Sequence, residues 1–299
     1  MEKILITGAS GLIGKKLTEL LSAKGYEVIH LLRKKPTNSN VKFHLWNPDK
    51  NELEESAFEN IDHVIHLSGE NISNKRWTDS QKKILCDSRI ATANLLFEKS
   101  RNAKLKTFVS ASGISLYGTA TTENIYDEEA TPTRDFLAQL TVDWEKAADQ
   151  FSDRGVRVVK IRTSVVLSKK GGALEKILKP IRMGFGSPLG NGKQYFPWIH
   201  LEDLSQIYIK AIQDQNMTGA YNAAAPEHCT NRELTYAIAK ILGKKIWMPA
   251  VPAFAIKLLF GEMGNLVLKG SRISSAKILN TGFQFQYPTL DGALKDCLE

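Results

Sequence analysis

The chain has 299 residues, which is enough for a complete nucleotide-binding sheet together with a second lobe. Its composition, 42% hydrophobic and 24% charged, is ordinary for a soluble globular protein. No apolar run approaches the roughly 18 residues that a membrane-spanning helix needs. Residues 4–6 lead directly into a glycine-rich turn, unlike a secretory signal. We therefore expect a cytoplasmic protein with no membrane partner.

The net charge of +8 raises the question of nucleic acid. The basic residues are scattered in pairs such as Lys34-Lys35, which favours a solvated surface or an anionic ligand over a nucleic-acid interface. The three cysteines, Cys86, Cys229 and Cys297, are far apart and have no metal-binding or redox spacing. We expect reduced thiols, and no metal site, because no His, Cys, Asp and Glu cluster has ligand spacing.

Strand and helix patterns alternate over the first two-thirds of the chain. The predicted elements are a strand at 3–7, a helix at 12–24, strands at 26–32 and 61–67, a helix from near Thr78, a strand at 105–111, a helix at 135–153 and a strand at 156–161. Strands joined by helices of this length predict a parallel sheet covered on both faces.

The alternation is lost after residue 168. The later predicted elements are a short helix after Gly171-Gly172, a loop at 184–197, a helix after His200, a strand near 219–224, a helix opened by the capping box of Thr230 and Glu233, and two or three final helices after Pro252. We predict an α/β protein, a Rossmann-type doubly wound parallel sheet with a smaller, mostly helical C-terminal substrate lobe. Residues 1–168 and parts of 194–225 form the nucleotide-binding domain, and 169–193 with 226–299 form the lobe.

A glycine-rich loop lies between the first strand and the first helix. Gly8 permits the tight turn, Gly11 admits a pyrophosphate close to the backbone, and Gly14 allows close helix packing. The predicted cofactor contacts here are Gly8, Ser10, Gly11, Leu12, Ile13 and Gly14.

The end of the second strand indicates which dinucleotide is bound. An NAD enzyme usually carries Asp or Glu about 20 residues past the glycines to hold the ribose 2'-hydroxyl. Here the strand ends Leu32-Arg33, and Arg33 can stack on adenine or bind a 2'-phosphate. The sequence therefore favours NADP(H). His66, Leu67, Ser68 and Gly69 end another strand and are predicted to pass the adenosine side of the cofactor.

Several motifs resemble the extended short-chain dehydrogenase/reductase superfamily, the relatives of sugar-nucleotide epimerases and dehydratases. They are the TGxxGxxG loop, the HLSG segment, the Ser-Ala-Ser of residues 110–112 and the Trp-Ile-His-Leu-Glu-Asp segment 198–203. Gly69-Glu70-Asn71-Ile72, Trp144-Glu145 and the stretch from Val251 resemble one subgroup, the epimerase-family proteins with an appended C-terminal module, here about 249–299. The resemblance spans the chain and implies NADP(H) as the cofactor and a substrate held against the C-terminal lobe.

Active members of this superfamily use a Ser or Thr together with a Tyr and a Lys four residues apart on the next long helix. Ser112 matches the first position, and its hydroxyl is expected to hold the substrate oxygen. The helix at 135–153 has no such Tyr-Lys pair, so the usual proton shuttle is missing. Tyr117 is the candidate replacement, although the equivalent Tyr-Gly in relatives is a structural and substrate-lining element.

Other residues are assigned by their place beside the predicted cleft. Glu70, Asn71 and Arg76 are candidate substrate contacts; for Arg76 an ordinary salt bridge is the alternative. Arg89 and Arg162 complete the predicted cofactor contacts, and Arg162 faces either the cofactor or an internal acid.

Two functions are compatible with these residues. One is an NADP(H)-dependent oxidoreductase or epimerase acting on a small polar or nucleotide-linked molecule. The other is a sensor or scaffold that binds NADP(H) but has lost the chemistry. A homodimer stays open, because relatives often dimerise through helices beside the active site.

Overall fold

The computed structural model describes residues 1–37, 41–118 and 121–299. The strands are β1 (Lys3–Thr7), β2 (Glu27–Leu32), β3 (Lys42–Asn47), β4 (Glu52–Leu53), β5 (His63–His66), β6 (Thr107–Gly113), β7 (Ile125–Tyr126), β8 (Arg157–Thr163), β9 (Val165–Leu167), β10 (Trp198–His200), β11 (Gly219–Ala223) and β12 (Arg272–Ile273). The α-helices are α1 (Leu12–Ala23), α2 (Asp79–Asp87), α3 (Ile90–Lys99), α4 (Phe136–Asp149), α5 (Ala173–Arg182), α6 (Leu201–Gln213), α7 (Asn231–Ile241), α8 (Ala253–Phe260), α9 (Asn265–Leu268), α10 (Ala276–Leu279) and α11 (Leu290–Leu298).

The main sheet has eight strands in the order β11-β8-β6-β5-β1-β2-β3-β4. All neighbouring strands are parallel except β3 and β4, which are antiparallel. Ile4 and Ile6 pack into one core cluster and Leu5 into the other, as the period of two in a strand requires. Helices therefore cover both faces of a doubly wound parallel sheet, and the predicted fold class is confirmed.

Three predicted elements differ from the structure. The strand β3 was not predicted, because its residues Lys42 and Leu45 are exposed at the sheet edge and only Trp46 is buried. The single helix expected from Thr78 is two helices, which bend at Arg89. The C-terminal segment after Pro252 holds four α-helices among the described residues rather than two or three.

A further core cluster lies beyond the sheet, between helices α5, α7 and α11. Leu174, Leu234 and Leu294 pack there with Trp198. Both hydrogen bonds of the predicted capping box, between Thr230 and Glu233, are present at the start of α7. Across the described parts of the chain, no helix has the length and apolar character to cross a membrane.

Candidate cofactor and active site

The glycine loop between β1 and α1 is a turn that side chains would obstruct. Gly8 has φ +67°, and a Cβ on it would lie 2.9 Å from the carbonyl of Leu67. A Cβ on Gly14 would lie 2.6 Å from the Cα of Ala9. The loop therefore lies directly against the end of β5, and α1 lies directly against the loop, with no room for a side chain at either glycine.

The N-terminus of α1 is open to an anion. Gly11 is its N-cap residue, with no side-chain cap and no acidic residue in the first turn. Ser10 and Gly11 are exposed, and Leu12 and Ile13 are half-buried. Uncapped N–H groups together with the positive end of the helix dipole favour a phosphate at this position.

Arg33 lies immediately beyond β2 and is exposed, next to the half-buried Leu32. Within the described ranges it has no hydrogen bond and no ion pair, and no carboxylate occupies the end of the strand. Its guanidinium is therefore available to bind an anion at the edge of the glycine loop.

His66, at the end of β5, is completely buried and acts inside the sheet. Thr7 Oγ1 accepts the N–H groups of Leu67 and Ser68, so its proton goes to His66 Nδ1 at 2.8 Å. The single proton of the neutral His66 ring is therefore on Nε2, which faces Thr92 Oγ1 at 3.3 Å. Burial lowers the pKa of His66 to about 4. Both ring nitrogens of His66 face threonines inside the sheet, so the predicted passage of the cofactor along residues 66–69 concerns their backbone and stays a prediction.

Arg89 organises the loop that follows β5. Its Nη2 donates to the carbonyl of Glu70 at 2.9 Å, and its Nη1 donates to the carbonyl of Leu85 at 3.0 Å. A Cβ on the exposed Gly69 would lie 3.1 Å from the Arg89 guanidinium carbon. Burial lowers the pKa of Arg89 to about 10. Arg89 thus fixes the backbone around Ser68 and Gly69, and its direct contact with a cofactor stays a prediction.

Ser112 and Arg162 meet at a buried carboxylate, that of Glu145 on α4. Ser112 Oγ donates to Glu145 Oε1 at 2.6 Å, and Arg162 donates through Nε at 2.8 Å and Nη2 at 2.9 Å. Burial acts to raise the pKa of Glu145, but the hydrogen bonds and charge of Arg162 outweigh it and hold the pKa below its usual value. Glu145 is therefore ionised at neutral pH.

This arrangement changes the roles predicted for two residues. The only proton of Ser112 is given to Glu145, so Ser112 can accept a hydrogen bond from a substrate hydroxyl but cannot donate one to a carbonyl. Arg162 is buried against this internal acid, which corrects its assignment as a cofactor contact.

Tyr117 is a buried strut. Its hydroxyl donates to Asn222 Oδ1 at 2.6 Å and accepts from Arg162 Nη1 at 2.9 Å. Burial raises the pKa of Tyr117 to about 12, although Arg162 opposes the shift. A phenol with its proton engaged and its pKa raised is a poor proton shuttle at neutral pH. The prediction that Tyr117 replaces the missing catalytic tyrosine is corrected for this reason.

The face of α4 that meets β6 carries Thr141 and Glu145, four residues apart, in place of a Tyr-Lys pair. Thr141 Oγ1 lies 2.8 Å from Ser115 Oγ. Thr141, Glu145 and Ser115 were not predicted as site residues. One signal was available, because Glu145 lies among the apolar positions of α4, where an acid needs a partner.

The predicted substrate residues lie in the loop 70–77, which touches the C-terminal module. Glu70 is half-buried, and Asn71 is exposed with its side chain turned back to the Ser73 backbone. A Cβ on Gly261 of the module would lie 3.2 Å from Arg76 Nη2. Arg76 is exposed and has no ion pair within the described residues, so the salt-bridge alternative is not what the structure shows.

One group of potential metal ligands occurs in the described part of the chain, formed by His200, Asp296 and Cys297. His200 Nδ1 accepts the N–H of Glu202, so its Nε2 is protonated and faces Asp296 Oδ2 at 3.2 Å. Burial raises the pKa of the Cys297 thiol to about 12. We interpret the group as a helix cap with an ion-pair partner, and the absence of a metal site stays a prediction.

Comparison with known proteins places this geometry in a family. Residues 4–224 match the model of the NAD dependent epimerase/dehydratase family, and the chain belongs to that family. Residues 251–297 match a domain of unknown function, DUF1731, which confirms the resemblance to the subgroup with a C-terminal module.

The individual relatives cover nearly the whole chain. Epimerase family protein Mb2239 of Mycobacterium bovis is 37% identical over 97% of this chain and 96% of its own. A crystal structure of human epimerase family protein SDR39U1 (isoform 2) with NADPH has a TM-score of 0.87 and 32% identity, and covers 99% of this chain and 98% of its own. A nucleoside-diphosphate sugar epimerase from Corynebacterium glutamicum has a TM-score of 0.79 and 32% identity, over 99% of this chain and 57% of its own.

Proposed function

We propose that this chain binds NADP(H), with the pyrophosphate at the N-terminus of α1 and the 2'-phosphate at Arg33. The observation that carries the proposal is Arg33 itself: an exposed guanidinium, without an ion pair in the described ranges, at the strand end where an NAD-specific protein carries a carboxylate. The human relative crystallised with NADPH is 32% identical over nearly the whole chain, which supports the same cofactor.

The residues present fit such a cofactor. Gly8 and Gly14 leave space that a Cβ would fill, and α1 has no side-chain cap that would compete with a phosphate. Gly69 is exposed beyond β5, where Arg89 fixes the backbone. When bound, NADP(H) supplies or accepts a hydride, and the protein contributes binding, orientation and proton transfer.

The reaction we propose is an oxidoreductase or epimerase-like conversion of a small polar or nucleotide-linked molecule. The site lies between the end of β6 and the loop 70–77. A substrate hydroxyl would donate to Ser112 Oγ, and Ser112 already donates to the ionised Glu145. Ser112 would thereby orient the substrate hydroxyl. Glu145, whose pKa is held low by Arg162, is by the same standard as Tyr117 a weak proton acceptor at neutral pH, so the pair would position the substrate and would not replace the Tyr-Lys proton shuttle.

The second candidate is an NADP(H) sensor or scaffold without chemistry. It is favoured by the same corner of the molecule, since Tyr117 and Arg162 are fully engaged in structural bonds. In that case Ser112, Glu145 and Arg162 only hold β6, α4 and β8 together.

Titration with NADPH and NADH, followed by nicotinamide fluorescence and thermal stability, tests the cofactor. The unmodified chain should bind NADPH more tightly. Arg33→Ala should weaken NADPH by about tenfold to a hundredfold and leave NADH nearly unchanged, because a charged hydrogen bond is worth about 1.5–3 kcal/mol. Lys24→Ala, at an exposed cation beyond α1, is the matched control. Equal loss of both nucleotides in Arg33→Ala would refute the 2'-phosphate assignment.

Turnover separates the enzyme from the sensor. A panel of alcohols and carbonyls should reveal NADP(H)-dependent activity in the unmodified chain that Ser112→Ala removes without loss of NADPH affinity. Binding without turnover on any of them would favour the sensor, and activity that survives Ser112→Ala would leave Ser112 a structural role only.

A further inference from the structure

The C-terminal module carries a helix that the chain itself leaves uncovered. Seven of the eight residues of α8 are apolar, yet only Ile256 is buried. Leu258 is 76% exposed, Phe254 74% and Leu259 66%. A helix that is apolar around most of its circumference is normally covered by protein or lipid.

The apolar surface continues into the neighbouring segment. Trp247, 67% exposed, donates from Nε1 to the carbonyl of Gly184 at 3.0 Å, which places it beside the exposed Met183 and Phe185. Val251 hydrogen-bonds with the backbone of Pro188 and Gly190. The segments 176–201 and 234–261 therefore run side by side, and we call their exposed side the basic–apolar face.

The exposed area matches the largest apolar patch expected on a monomer, and such a patch is often functional. If a fully exposed aromatic side chain offers about 200 Å², then Phe185, Trp247 and Phe254 together expose about 400 Å². The largest apolar patch on a typical monomer is about 300–600 Å². Met183, Leu258 and Leu259 are each more than half exposed and add to it.

The two segments that form this face are rich in positive charge, and the nearest acids in the sequence lie immediately outside them, at Glu175, Glu202, Glu233 and Glu262. The two segments contain eight Lys and Arg and no Asp or Glu, so they account for the whole net charge of +8, with 32 basic and 32 acidic residues in the rest of the chain. All eight are exposed, and among the described residues none forms an ion pair. Glu262, just beyond α8, is neutralised by Lys82 at 2.6 Å.

We infer that the basic–apolar face docks shallowly on an anionic lipid surface. Exposed Trp, Phe and Leu insert at the level of the headgroups, and flanking Lys and Arg contact anionic headgroups. A second copy of the chain fits less well, because it would bring eight further positive charges to the same contact. The inference is independent of the cofactor, and it sets aside the expectation of no membrane partner.

Vesicle co-sedimentation tests the inference. The full chain should sediment with vesicles of phosphatidylcholine containing phosphatidylglycerol, and much less with phosphatidylcholine alone. Phe254→Ser with Leu258→Ser should reduce the binding constant by about tenfold or more, because two apolar side chains that would insert into the lipid surface are lost. Lys244→Glu with Lys245→Glu should reduce it similarly at low salt.

Matched controls use the same changes elsewhere. Ile84→Ser and Ile125→Ser alter exposed apolar residues, and Lys24→Glu with Lys104→Glu reverses exposed charges; all should bind like the unmodified chain. Thermal unfolding of every variant checks that it is folded. A change in tryptophan emission on vesicle binding should disappear in Trp247→Phe.

Three results would overturn the inference. The first is no sedimentation with either vesicle. The second is sedimentation that the apolar variants leave intact and that 0.15 M salt abolishes, which indicates non-specific attraction to charge. The third is a dimer in solution that Phe254→Ser with Leu258→Ser dissociates, with no lipid binding, which would make the face a contact between copies.

Discussion

The two halves of the site are built by different means. The cofactor edge consists of residues 7–14 and Arg33. It presents mainly backbone, namely three glycines and an uncapped helix N-terminus, together with one exposed cation. The chemical corner, formed by Ser112, Tyr117, Glu145 and Arg162, is made of side chains from β6, the turn that follows it, α4 and β8, and these side chains hydrogen-bond with one another. The geometry of the edge leaves it open to a ligand. In the corner the side chains already hydrogen-bond with one another, so a substrate can use only Ser112 Oγ, as a hydrogen-bond acceptor.

Removal of the Glu145 carboxylate should have the largest effect on the chemical corner. Glu145→Ala should lower the free energy of unfolding by about 3–5 kcal/mol, because it leaves the Arg162 charge buried without a partner. Denaturant unfolding measures the loss. Glu145→Leu combined with Arg162→Met should be less destabilised than Glu145→Ala alone; a double variant as unstable as the single one would argue against a buried ion pair.

The pH dependence of stability tests the buried, neutral state of His66, which lies at the end of β5 next to the glycine loop. His66 has its pKa lowered from 6.5 to about 4, so between these values the unfolded chain binds the proton that the folded chain excludes. Stability should therefore be complete above pH 6.5 and should fall as the pH drops to about 4. His66 alone contributes about 3 kcal/mol to this fall, since one pKa unit is worth 1.36 kcal/mol.

The contribution of His66 is isolated by comparing slopes. His30, His63 and His200 also have lowered pKa values and add to the fall. His66→Gln should flatten the curve between pH 6.5 and 4 whatever its effect on absolute stability. An unchanged slope would mean that His66 is not the buried neutral group described above.

A methyl group in the glycine loop tests whether the edge depends on empty space. Gly14→Ala should abolish NADPH binding and cost about 1–3 kcal/mol of stability, because its Cβ would overlap Ala9 and Gly8. Thermal unfolding and nucleotide titration report the two effects. Gly292→Ala, within α11, is the control for the nucleotide titration: its Cβ would meet only Thr289 Oγ1, at 3.2 Å, and NADPH binding should be unchanged. Normal NADPH affinity in Gly14→Ala would contradict the close packing of the loop.

The smallest effect is expected at Tyr117. Tyr117→Phe removes the donor to Asn222 and an acceptor of Arg162, so we expect a loss of about 1–2 kcal/mol by denaturant unfolding. NADPH affinity should stay within about twofold, and any turnover found with the unmodified chain should persist. Loss of turnover with an intact fold would restore Tyr117 as the proton shuttle and would remove the distinction between corner and edge.

The edge could be located from the sequence because its signals are local. Gly8 and Gly11 lie between β1 and α1, Gly14 lies in the first turn of α1, and the missing carboxylate at Arg33 can be seen in the sequence alone. The capping box at Thr230 and the helix α1 were likewise predicted from neighbouring residues.

The corner could not be assembled in the same way. Ser112 and Arg162 were each singled out, but nothing in their spacing joined them to Glu145, which lies 33 and 17 residues away. The bend at Arg89 was missed for a similar reason, since its bonds run to Glu70 on another loop.

The sequence by itself determined the alternating sheet, the glycine loop and the cation at the end of β2, because backbone sterics, helix capping and side-chain periodicity act over a few residues. Only the tertiary structure decided what the polar residues do. Burial from all sides sets whether His66 and Tyr117 hold or release a proton, and neighbours far along the chain determine where the proton of Ser112 goes. It also left α8 uncovered, because whether an apolar helix is buried depends on the surface that meets it rather than on its own residues.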